Sequence, residues 1–164
     1  MPASSRCGQL LGTSKRTMNT DDFYLRVANA LCGCQLVEQQ LKLYISEALE
    51  LVAKCVNGKL AFGMAGEDYA NLSLGQLIKV FEKLSADPVL VKALDRFKHE
   101  RNFLSHRGIA HCLDPDGELD HGAVTDFEHR LEAIQPEAER LCSAIHEAAN
   151  KFRGHLWFDE IPTG

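Results

Sequence analysis

The chain has 164 residues, 45% of them apolar, and 23 acidic against 18 basic side chains give a net charge of −5. That length and apolar content suit one packed domain, and no run of about eighteen apolar residues is present to cross a membrane. The acidic total excludes a broad basic coat of the kind that holds nucleic acid non-specifically.

Residues 1–19 are rich in Ser, Thr, Gly, Arg and Lys and lack periodicity. They read as a flexible leader, with Met18 a second possible start. The first residues lack the apolar core of a secretory signal, so a cytoplasmic protein is expected. After Thr20, with Asp21 and Asp22 in the first turn, Val27, Leu31, Cys34, Val37, Leu41, Ile45, Ala48, Val52 and Cys55 recur at helical spacing. Leu36, Leu43 and Leu51 widen that stripe, which predicts a central helix ending before Gly58. Residues 58–72 hold three glycines and read as a loop.

Ser73-Leu-Gly-Gln76 is a capping-box pattern opening a short helix with the stripe Leu74, Leu77, Ile78, Phe81 and Leu84. Asp87-Pro88 supplies an N-cap and a first-turn proline for a third helix running to about Ile109. Asp114-Pro-Asp-Gly117 is a turn. The last helix is expected from about Gly122 to Phe152, on the stripe Val124, Phe127, Leu131, Ile134, Ala138, Leu141, Ile145 and Ala148. Pro136 falls inside it and is expected to kink or split it. No segment alternates as a strand does. The prediction is an all-α, up-and-down bundle of four to five helices over residues 20–158, with 159–164 as a tail.

Cysteines at 7, 32, 34, 55, 112 and 142 are expected to be reduced. Cys32-x-Cys34 lacks zinc or redox spacing, so these thiols read as small hydrophobes inside helices. Neither a metal nor a cofactor is expected. His99-Glu100 is not followed by the second histidine of a zinc motif, and Asp114–Asp120 departs from calcium-loop spacing.

The charge is uneven. Residues 88–112 carry Lys92, Arg96, Lys98, Arg101 and Arg107 against Asp95 and Glu100, a net +3, with His99, His106 and His111 among them. Residues 113–164 carry four basic and twelve acidic side chains. An acidic chain thus has one basic helix, the natural seat for an anion. Arg101 stands on the apolar stripe of that helix, within about 40° of Leu94 and Phe97. A core-facing guanidinium needs either a partner, such as a glutamate on another helix, or a task.

Arg101-Asn102-Phe103-Leu104-Ser105-His106 resembles the R-x4–6-H motif of the HEPN superfamily, small helical proteins of prokaryotic defence and toxin–antitoxin systems. The resemblance covers about residues 73–111. It implies a metal-independent endoribonuclease, working as a homodimer whose two motifs face each other across a shared cleft. Some members are instead non-catalytic dimerisation or interaction modules. An antitoxin or a separately encoded nucleotidyltransferase is the implied partner.

The side chains suit cleavage of RNA. His106 can take the proton of the ribose 2′-OH or protonate the leaving 5′-oxygen. Arg101 can clamp the charge gathering on phosphorus. Asn102, one turn before His106, is placed to orient it. Lys98, His99 and Arg107 are the candidate substrate contacts, and the products are a 2′,3′-cyclic phosphate and a 5′-hydroxyl. One difficulty is geometric. Residues 101 and 106 lie about 140° apart on an ideal helix, so either the helix loosens before Gly108 or a two-fold partner supplies one of the pair.

Overall fold

The computed structural model describes residues 20–157. The predicted leader, 1–19, and tail, 159–164, lie outside the described residues, as does Phe158. Helix α1 spans Thr20–Val56, a 3₁₀ turn spans Gly66–Tyr69 and α2 spans Leu74–Leu84. Helix α3 spans Pro88–Phe103, continues through a π-helical turn at Leu104–Gly108 and closes in the short α4 at Ile109–His111. Helix α5 spans His121–Trp157. The described chain is all-α.

The punctuation acts as its chemistry dictates. Gly58 adopts φ +73° after α1, and Gly117 φ +84° in the 114–117 turn, a backbone region that favours glycine. Gln76 Oε1 accepts from the Ser73 amide at 3.0 Å and from its hydroxyl at 2.9 Å, opening α2. Asp87 Oδ1 accepts from the amides of Val89 and Leu90 ahead of α3.

Helix direction departs from the up-and-down expectation. Phe23 meets Phe127, Gly33 lies against Ala138, Tyr44 meets Phe152 and Lys54 Nζ donates to the Leu156 carbonyl, so α1 and α5 run parallel. Arg130 pairs with Glu100 while Phe127 abuts Gly108, so α3 runs antiparallel to α5. A three-residue turn makes α2 antiparallel to α3 and hence parallel to α1. The cause is the 57–72 connection. It returns along α1, where Gly66 sits so close to Ser46 that a Cβ would come within 2.9 Å of the Ser46 Cα. One long crossover of this kind converts a simple bundle into this order.

The core runs the length of α1 and α5. Phe23, Phe81, Phe127, Leu41, Ile45, Leu94 and Leu141 are almost wholly enclosed. Burying each side chain contributes roughly 1.5–3 kcal/mol.

Three further expectations change. Helix α5 is not split at Pro136, the second of the two expected outcomes; Pro136 and Glu132, whose carbonyl loses a partner there, are both exposed, so water can take that carbonyl. Leu36 and Leu43 are not core: they stay 60% and 45% exposed on the face of α1 opposite its buried stripe. The thiols also divide. Cys34 and Cys112 are buried, Cys142 is half-buried, and Cys32 and Cys55 are exposed; Cys112 closes α4 rather than lying inside a helix.

Candidate functional site

The basic stretch occupies the second half of α3 and the π turn, where three elements converge. Leu90, Leu94 and Phe97 anchor α3 in the core, and Arg101, next on that stripe, points to α1. Glu38 Oε1 accepts from Arg101 Nε at 3.1 Å and lies 3.0 Å from Nη2 in an ion pair. The two side chains are 30% and 17% exposed, so the arginine is held at the rim of the core. One turn earlier on α1, burial pushes the Cys34 thiol up to about 11, against the pull of the nearby Arg101 guanidinium.

The π turn answers part of the angular problem. A π turn bonds i to i+5 and so takes up one extra residue, which sets the following side chains back around the helix. His106 sits inside it, exposed, with Ser105 and Arg107 on either side. The turn has a packing cause. Leu104, Gly108 and Cys112 are buried at four-residue steps, wider than the 3.6 of an α-helix. Gly108 meets α5 so closely that a Cβ there would lie 2.6 Å from Phe127 Cζ.

The other predicted residues fall around this turn. Asn102 is exposed. Lys98 is ion-paired with Asp95, whose carboxyl the lysine holds below the usual carboxylate range. His99 lies 3.9 Å from the same carboxylate and is exposed, as is Arg107. The stem of Lys98 is the nearest neighbour of Gly75, which sets the start of α2, its positive dipole end, beside this part of α3. Lys98 also lines a groove of about 670 Å³ between α2 and α3, together with Lys79, Lys92 and Arg96 and the carboxylates of Glu82 and Asp95.

Five contributors were not foreseen in these roles. Glu38 carried no sequence signal beyond being a glutamate on another helix. Phe103 forms a platform: Arg130 lies over its ring at 3.7 Å and His111 meets it edge-on at 5.9 Å. Arg130 is in turn fixed by Glu100 Oε2, at 3.1 Å from Nε and 2.9 Å from Nη2. Among the described residues, no group of three or more His, Cys, Asp or Glu side chains is arranged to hold a metal, and no helix is long and apolar enough to cross a membrane.

The thiols report on this packing. A water-soluble thiol reagent should label Cys32 and Cys55 within the first minutes. Cys34 and Cys112, enclosed and with burial raising both thiols, should react only on unfolding. Time-resolved peptide mass spectrometry reads the order, and early labelling of Cys34 would mean that the α1–α3 contact opens in the native state.

No family model, curated protein or solved structure matches this chain.

Proposed function

We propose that this chain is a metal-independent endoribonuclease of HEPN type, with Arg101 clamping the scissile phosphate, His106 moving the proton and Asn102 supporting it. The observation that carries the reading is the π turn at Leu104–Gly108, which begins three residues after Arg101 and contains His106. Such turns cost regular hydrogen bonding and occur often at functional sites. A π turn takes up an extra residue and so narrows the ideal-helix angle between positions 101 and 106.

Electrostatics support it. Glu38 engages Nε and Nη2 of Arg101 and leaves Nη1 for a phosphate oxygen. Exposed Arg107 adds positive potential at the turn, and Lys98 and the start of α2 add it further back along α3. The second reading, a non-catalytic helical interaction module, is favoured by one observation: the Glu38–Arg101 pair satisfies the arginine within the fold.

The test is direct. The purified chain, incubated with mixed single-stranded and structured RNAs in EDTA, should yield fragments ending in 2′,3′-cyclic phosphate and beginning with 5′-hydroxyl. RNA left intact with EDTA present and absent would retire the ribonuclease reading in favour of the interaction module.

A further inference from the structure

Arg130 on α5 is held as a flat plate. Its guanidinium carbon lies 3.7 Å from the centre of the Phe103 ring, a separation at which two planes must stack. Glu100 Oε2 takes one in-plane edge, accepting from Nε at 3.1 Å and from Nη2 at 2.9 Å. Phe103 is in turn packed edge-to-face on the enclosed Phe127, 5.7 Å away. A surface arginine usually samples many rotamers; this one has a face and an edge fixed, and its support rests on the core.

The other face of the plate is open. The Arg130 side chain is 42% exposed. With one face on Phe103 and one edge on Glu100, that exposure falls on the opposite face and at Nη1. The Glu100 side chain is 43% exposed, and an ion pair so wet contributes little to stability. What the network produces is an ordered plane. His111, exposed and edge-on to Phe103 at 5.9 Å, borders it.

The plate stands beside the motif. Phe103 follows Asn102 and precedes His106 by three residues, so ring and imidazole are neighbours about one helical turn apart. Exposed Arg107 lies one residue further on.

We propose that this plane is a nucleobase subsite, on which an unpaired base of RNA, next in the strand to the phosphate at Arg101 and His106, stacks against the open face of Arg130. In placing that phosphate the proposal rests on the ribonuclease reading. Unstacked bases of RNA are taken up on aromatic rings and on guanidinium planes, and the Phe103–Arg130 pair presents the second backed by the first. A plate already ordered in the free protein loses little freedom when a base lands on it. Every base has a π face, so the subsite tolerates sequence and favours purines through their larger rings. A base inside a duplex is already stacked and paired. The substrate must therefore be unpaired beside the cut.

The probe is a short single-stranded oligoribonucleotide, 2′-O-methylated throughout so that no 2′-hydroxyl can attack phosphorus, with 2-aminopurine at one position. Its fluorescence falls when the analogue stacks. The full-length wild type should quench it saturably, and His106→Ala should quench it equally, because the imidazole serves proton transfer. Arg130→Lys keeps the charge and loses the plane. It should weaken binding about 5- to 150-fold, the span covered by stacking one base, with the melting temperature read alongside. In cleavage of natural RNA the same variant should raise KM and leave kcat unchanged. Arg130→Ala gives a second disruption should the lysine variant misfold. Binding by Arg130→Lys as tight as wild type would overturn the subsite, since charge alone would then account for it. So would a wild type that quenches nothing, or one that cuts paired and unpaired RNA with equal KM. Quenching without cleavage of any RNA would retire the ribonuclease and leave the base subsite standing. Cleavage with KM unchanged in both Arg130 variants would do the reverse.

Discussion

Alanine at His106 should slow RNA cleavage by about 10²–10⁴-fold, the usual contribution of a positioned proton-transfer group, and leave the thermal melt unchanged. The two halves of that expectation have separate origins. His106 is exposed on the π turn, so the core loses nothing with its ring. Arg101 is the harder test, since Arg101→Ala removes the proposed phosphate clamp and also strands Glu38 at the edge of the core. Glu38→Gln and Arg101→Lys separate the roles. The first keeps a hydrogen-bonding partner and all the guanidinium donors, so cleavage should survive with a modest loss of stability. The second keeps the charge but loses the planar fork, so cleavage should fall while the melt moves little. Equal cleavage by wild type and His106→Ala would remove the imidazole from the mechanism.

Phe127→Ala should cost about 3–5 kcal/mol in urea unfolding, the toll of removing a fully enclosed aromatic ring. Phe127 is 1% exposed and joins Phe23, at 6.1 Å, to Phe103, at 5.7 Å, tying α5 to α1 and α3. Its smallest neighbour gives the sharper forecast. Alanine is better than glycine inside a helix by about 1 kcal/mol, so propensity makes Gly108→Ala stabilising. Packing reverses the sign. The added methyl would sit 2.6 Å from Phe127 Cζ and 3.4 Å from Leu104 Cδ1, and such overfilling costs about 1–3 kcal/mol. The double variant Gly108→Ala with Phe127→Ala should therefore lose less than the two single losses together. A neutral or stabilising Gly108→Ala would contradict the close approach of α3 and α5.

Local grammar was legible in the sequence and tertiary choice was not. Ser73 with Gln76, Asp87-Pro88 and Gly117 mark boundaries through bonds made within four residues, and each boundary stands where the chain places it. The direction of α2 depends on where residues 57–72 run. Their glycines mark a loop, yet the path is set by Gly66 seating on Ser46, a contact across the fold. The stripe on α1 is apolar beyond what its neighbours cover, and periodicity alone cannot separate the buried Val37 from the exposed Leu36.

The candidate site divides the same way. An arginine on an apolar stripe announced that a partner or ligand was needed, whereas Glu38 is one of several glutamates that the pattern could not rank. The π turn was anticipated only as a loosening before Gly108. The close approach of the Phe127 ring to Gly108, from nineteen residues further on, left no mark in the local pattern. Phe103 was read as part of a motif; its role as a platform between Arg130 and His111 needed the fold.

The parallel pairing of α1 with α5 has a consequence for how the molecule is made. Its polar links join residues 102 to 106 positions apart from one end of the pair to the other. On the ribosome α1 therefore emerges long before the helix that covers it, with one apolar face waiting for α5. Pairing so distant in the chain raises contact order well above that of a bundle built from neighbouring hairpins, and folding slows accordingly. The α2–α3 hairpin can close early from local contacts, while the long pair must be joined last, after nearly all the described chain has been synthesised.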